Sequence, residues 1–189
     1  VNLINDRGIH ICKSMLAYSK FGNGATPESM SKKGDHLVGD YYVKFDFELK
    51  REIAKIKDEN QDLSTKTDEE LFSHTNIGKE AQETLLKWEA GDEEVITLWK
   101  TMNEWVISGF IKTYDRMGVQ FDKIYLESET YQLGKNIVLQ ARNKGLLKTR
   151  EDGAIYADLK PFGLTEKILL RADSTSVYMT QDIGTTIKK

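Results

Sequence analysis

The chain has 189 residues, with 27 Lys and Arg against 30 Asp and Glu, a formal net charge of -3 and 39% hydrophobic residues. That near balance excludes a histone-like polycation, the apolar content supports a core burying roughly 70% of the unfolded surface, and no run approaches the ~18 apolar residues of a membrane span. The opening Val1 to Gly8 lacks the basic and apolar regions of a secretory signal and the single cysteine, Cys12, makes no internal disulfide, so the expected compartment is the cytoplasm.

Residues 1–4 read as a short strand, and Asn5-Asp6-Arg7-Gly8 as a turn, because Asn, Asp and Gly tolerate left-handed backbone. Ile9, Cys12, Met15 and Leu16 then recur at helical spacing, and strand, turn, helix is the opening of an α/β unit. From Phe21 to Asp35 the composition is that of a loop, which leads to the segment His36 to Val43. Between Phe45 and Gly118 there is no proline and three helices fit: Asn76 is expected to cap one that ends before Gly91, and Asp92 the next, which stops at Gly118. In that last helix Val95, Leu98, Trp99, Met102, Trp105 or Val106, Gly109, Phe110, Tyr114 and Met117 form an apolar stripe. Residues 121–126 alternate like a strand, and Thr130 to Lys144 read as a helix closed by Gly145. Asp152-Gly153 between two apolar runs signals a hairpin, and Lys167 to Leu170 and Ser176 to Tyr178 are further short strands. The architecture is an α/β domain, with residues 1–44 its first part, 45–117 a helical insertion and 118–189 its continuation. A chain that begins at Val1 and ends at Lys189 without punctuation reads as a piece of something longer.

The segment Tyr178 to Gly184 hands a strand over to a helix, the edge at which open α/β sheets bind ligands, so Tyr178 and Asp182 are placed to face one cleft. The plainer alternative is that Asp182 caps the helix and Tyr178 packs. Glu127 stands at an equivalent strand end, where a solvated turn residue is the alternative. Two carboxylates and a phenol around one crevice suit a guanidinium, whose planar fork of donors meets paired carboxylate oxygens. Asp6, Gly8 and His10 either set a carboxylate and free amides at a helix start beside a phosphate or ribose, or form a simple turn. No zinc site is expected from His10 and Cys12, which have no further Cys or paired His, and no glycine-rich phosphate loop is present. His36 and His74 are lone histidines, Trp88, Trp99 and Trp105 read as core, and Lys50 to Lys57 as a solvated helix face.

Taken together, the blocks Asn2 to Met15, Gly34 to Val43, Trp105 to Tyr114, Leu126-Glu127-Ser128, Asp152-Gly153-Ala154 and Leu170 to Gly184 resemble, in order, the middle of the catalytic domain of arginyl-tRNA synthetase. The resemblance implies part of a class I synthetase Rossmann-like nucleotide-binding domain with a helical insertion. It implies arginine, ATP with Mg2+ as substrate, and tRNA(Arg) as the partners of the parent enzyme, with no prosthetic group. By the same likeness Tyr178 and Asp182 contact the substrate arginine, Glu127 meets its guanidinium or amino group, and Asp6, Gly8 and His10 lie on the nucleotide side; no catalytic residue and no metal ligand is assigned. The family's His-x-Gly-His signature and its Lys-Met-Ser-Lys-Ser loop do not occur here, and Met30-Ser31-Lys32-Lys33 lies too early to be that loop, so the chain is expected to be inactive by itself. Another class I synthetase, and a helical interaction module built on residues 45–117, are the alternatives.

Overall fold

The computed structural model describes residues 1–188. In chain order β1 (Asn2–Ile4) is followed by α1 (Ile9–Phe21), α2 (Gly34–Glu59), α3 (Asp68–Leu71), α4 (Asn76–Ala90) and α5 (Glu93–Met117). Then come β2 (Ile124–Leu126), α6 (Glu127–Asn143), β3 (Lys148–Thr149), β4 (Ile155–Ala157), β5 (Lys167–Leu170) and α7 (Tyr178–Lys188). These elements form two compact units, one of Val1–Asp6 with Phe121–Lys189 and one of Arg7–Gln120.

In the helical unit, Phe45, Leu49 and Ile53 of α2 recur every fourth residue, so they share one face. That face is buried with Ala17 of α1, Leu71 of α3, and Ile77 and Ala81 of α4. The division expected between residues 44 and 45 therefore falls inside α2, which runs unbroken across it. Because α1 shares this core, it groups with the helices and not with the strand that precedes it. Thr75, one residue before the expected Asn76, caps α4: its hydroxyl accepts from the Gly78 N–H at 3.0 Å and donates to the Phe72 carbonyl at 2.7 Å. Asp92 caps α5 as its sequence position dictates, accepting from the Val95 N–H at 3.1 Å, and Gly91 and Gly118 end α4 and α5 in the left-handed conformation. Along α5 Met102 and Gly109 are buried, but the stripe frays at the last turn, where Met117 is 67% exposed. Trp88 is buried edge-on to Trp99 at 5.3 Å, with the Arg7 guanidinium 4.8 Å from its ring centroid and paired to Glu89 at 2.6 Å.

Cys12 is buried in α1, and burial pushes its thiol from the ordinary 9.0 up to about 12, with the Arg7 charge opposing the shift. A thiol of this kind is inert at neutral pH, since the thiolate is the nucleophile. In the unfolded chain it ionises first, so its contribution to stability is intact below pH 9 and is lost as pH rises toward 12. The expected result is that the urea midpoint falls more steeply above pH 9 in the parent sequence than in Cys12→Ala, and that native Cys12 resists alkylation; identical pH profiles would refute it.

In the other unit β1 and β2 pair in parallel, Asn2 opposite Ile124 and Ile4 opposite Leu126. Parallel neighbours need a long crossover, and the whole helical unit lies between them in the chain. Asp152-Gly153 turns β3 into β4 as the sequence signals: the Arg150 N–H donates to the Ala154 carbonyl at 2.8 Å, and β5 completes an antiparallel sheet in the order β3-β4-β5. Ser176 to Tyr178 is not a strand. Only an isolated bridge joins Ser176 to Leu170, and α7 has already begun at Tyr178. The Asp173 carboxylate, accepting from the Thr175 N–H at 2.9 Å, closes a tight loop that turns the chain before a ladder can extend. Val138, Ile155, Leu169 and Leu170 form the core, with Met179 and Ile183 of α7 packed on it.

Helices α6 and α7 approach backbone to backbone. A methyl group on Gly134 would overlap the Thr180 carbonyl, and one on Gly184 would overlap that of Thr130. The hydroxyls of Thr130 and Thr185 meet at 3.0 Å in the same buried seam, and the Thr180 hydroxyl donates to the Leu169 carbonyl.

Candidate functional site

Strands β1 and β2 end level, so the residues that follow them, Asn5 and Glu127, occupy matching positions at the carboxyl ends of the parallel pair. A cavity of about 130 Å³ opens there, lined by Leu3, Ile4, Asn5, Tyr125, Glu127, Tyr178, Gln181, Asp182 and Thr185. At about 30 Å³ per water this holds roughly four waters, the scale of one polar head group. Tyr178 and Asp182 lie one turn apart on α7 and therefore on one face. Tyr178 is 70% exposed and Asp182 is also exposed, so the cavity mouth is open to solvent, while Gln181 and Thr185 are buried at its wall.

Glu127 differs from its sequence-based place. It is the first residue of α6, which starts three residues before the expected Thr130. The reason is tertiary: Asp6, past the end of β1, accepts from the Ser128 N–H at 2.8 Å and from the Ser128 hydroxyl at 2.5 Å, supplying a cap that Leu126 lacks. A carboxylate at a helix N-terminus also meets the positive end of the helix dipole.

The three residues expected around a guanidinium thus line one cavity, and the chemistry of that wall is acidic. The carboxylate oxygens of Glu127 and Asp182 only accept, and Tyr178 adds a phenol. The residues expected on the nucleotide side fall in both units, Asp6 in that of the strands. Asp6 is 2% exposed and its carboxylate turns inward onto Ser128. Gly8 and His10 belong to the helical unit. Gly8 precedes α1 with φ 100 and ψ 179, backbone that is essentially restricted to glycine, and its carbonyl accepts from Ile11 and Cys12. His10 stands on the first turn with Nδ1 3.1 Å from the Tyr42 hydroxyl; partial burial, then the Lys13 charge, hold its imidazole below the ordinary 6.5.

Asn5, Gln181 and Thr185 also line the cavity, and the sequence offered only faint signals for them: Asn5 follows a strand as Glu127 does, and Gln181 adjoins Asp182. Among the described residues no group of three or more His, Cys, Asp or Glu is arranged to hold a metal ion, and no helix is long and apolar enough to cross a membrane. A larger hollow of about 410 Å³ in the helical unit is lined by Lys32, Lys33, Glu104, Trp105 and Lys112. Its lysines are largely met by acids, Lys32 by Asp40 and Lys33 by Asp35 at 3.0 Å, so its size is not matched by an unsatisfied chemistry.

The chain is 58% identical over 186 residues to a protein named arginine–tRNA ligase from Parabacteroides distasonis, and 56% identical over 184 residues to one of the same name from Bacteroides thetaiotaomicron. Each alignment takes in 97% of this chain, which spans about 30% of the length of either relative. Its fold is similar to the crystal structure of arginyl-tRNA synthetase from Plasmodium falciparum, with a TM-score of 0.61 at 16% identity over 98% of this chain and 27% of that one. That likeness extends the strand-and-helix arrangement described above to a Rossmann-like class I catalytic domain. Residues 39–189 match the model described as tRNA synthetases class I (R), catalytic domain, and since this is most of the sequence, the chain belongs to that family.

Proposed function

We propose that this chain is the arginine-binding part of an arginine–tRNA ligase. The reading rests on one observation above others: Glu127, Tyr178 and Asp182, from two helices, line one acidic cavity at the carboxyl ends of parallel strands. In the parent protein the arginine carboxylate attacks the α-phosphate of ATP, which enters with Mg2+ as substrate, giving arginyl-adenylate and pyrophosphate. A hydroxyl of the terminal adenosine of tRNA(Arg) then takes the arginyl group and AMP leaves. Neither step assigns a proton-transferring side chain to these residues; their task is to hold and orient arginine, so that its carboxylate meets the phosphorus in line. The start of α1, with Gly8 and His10, is the part of the reading given to the nucleotide side, and the inward-turned Asp6 is not. The cytoplasm is the proposed compartment.

Such a pocket selects by charge and shape. Lysine brings one ammonium in place of a planar fork, and citrulline brings no cation, so carboxylate oxygens desolvated on closure are left unmet at on the order of 1–3 kcal/mol each. Arginine-dependent exchange of pyrophosphate into ATP by the full-length protein should therefore be strong, with lysine and citrulline at least about 100-fold weaker in kcat/KM. Comparable exchange with citrulline would overturn the reading.

A further inference from the structure

We infer that Asp6 is a positioning residue for Glu127, fixing the first turn of α6 and hence the way the Glu127 side chain meets the cavity. The inference rests on the arginine-pocket reading above and deepens it. Helices α4 and α5 are capped by the residue that precedes each, Thr75 and Asp92. Helix α6 follows Leu126, a residue of β2 whose side chain has no acceptor, and draws its cap instead from the end of β1. A Ser or Asp at a local cap position would stabilise the helix equally well. A cap from the segment just past β1 also registers the start of α6 against Asn5, and so ties two walls of the cavity together.

Both Asp6 oxygens are engaged on Ser128, the neighbour of Glu127, at 2.8 and 2.5 Å, and Asp6 is buried. Charge-assisted bonds of this kind are short and directional. On the other side of the same turn the Thr130 hydroxyl approaches the Glu127 carbonyl at 3.3 Å and that of Thr185 on α7 at 3.0 Å. The turn that begins with Glu127 is thus held at Ser128 by Asp6 and, through Thr130, by the helix that bears Tyr178 and Asp182.

The test uses the full-length protein, arginine-dependent pyrophosphate exchange, and the variants Asp6→Ala, Asp6→Asn, Ser128→Ala, Glu127→Gln and the double variant Asp6→Ala/Glu127→Gln. Misplacement by an ångström costs up to about 100-fold, so Asp6→Ala should raise the arginine KM by roughly tenfold or more while the ATP KM stays nearly constant. Asp6→Asn, which keeps one acceptor for the Ser128 N–H, should recover most of the loss. In the double variant the arginine KM should be no higher than in Glu127→Gln alone, because residues acting through one another are not additive. Should Asp6→Ala fail to fold, Ser128→Ala alone and in the Glu127→Gln background carries the same comparison. Arginine and ATP KM rising together, or full additivity with Glu127→Gln, would make Asp6 a structural residue only and overturn the inference. An unchanged arginine KM in Glu127→Gln would instead remove the pocket reading itself.

Discussion

Asp182→Ala in the full-length protein should lower kcat/KM for arginine by about 30-fold to a few thousandfold and leave tRNA binding intact. The magnitude follows from truncating one partner of a hydrogen-bonded charge pair that becomes desolvated on binding, about 2–5 kcal/mol, at about 1.4 kcal/mol per factor of ten. Asp182 is exposed on α7 in the free protein, so the same change should leave stability within about 0.5 kcal/mol. That separation of a large functional effect from a negligible structural one is what marks a binding residue. Asp182→Asn keeps the shape and one acceptor but removes the charge, and should fall between. Exchange kinetics with arginine varied at saturating ATP measure both; an unchanged arginine KM and kcat would remove Asp182 from the pocket.

Gly134→Ala should destabilise the protein by about 3 kcal/mol, the upper end of overpacking costs. Ordinarily alanine stabilises a helix over glycine by up to about 1 kcal/mol, so the sign of the effect is diagnostic. Here the added methyl meets the Thr180 carbonyl, a backbone atom of α7 that has no rotamer to escape into, and Gly184→Ala meets the Thr130 carbonyl in the same way. At about 2–4 °C per kcal/mol for a chain of this size, Tm should fall by roughly 6–12 °C. The only relief is for the helices to part, which moves Tyr178 and Asp182 away from Glu127, so the arginine KM should rise even at temperatures where the variant is folded. Urea unfolding with an unchanged slope checks the stability term. A loss under about 0.5 kcal/mol would mean that α6 and α7 are not in backbone contact.

The sequence by itself was sufficient at several places where the structure depends on neighbours in the chain. The Asp92 and Gly118 limits of α5, the Asp152-Gly153 hairpin and the opening strand, turn and helix are each decided by a few adjacent side chains and their backbone preferences. The spacing of Tyr178 and Asp182 is local in the same sense, because one helical turn puts both on one face. What the sequence left open depends on partners far along the chain. Helix α6 starts at Glu127 because Asp6 caps it, and Ala17 of α1 shares a core with Phe45 of α2. Only the tertiary structure decided that Glu127 joins Tyr178 and Asp182 in one cavity, and that Asp6 turns inward. Caps and turns are short-range chemistry, whereas a parallel strand pair closed across a whole helical unit, and the close glycine seam of α6 and α7, arise from packing that no local pattern encodes.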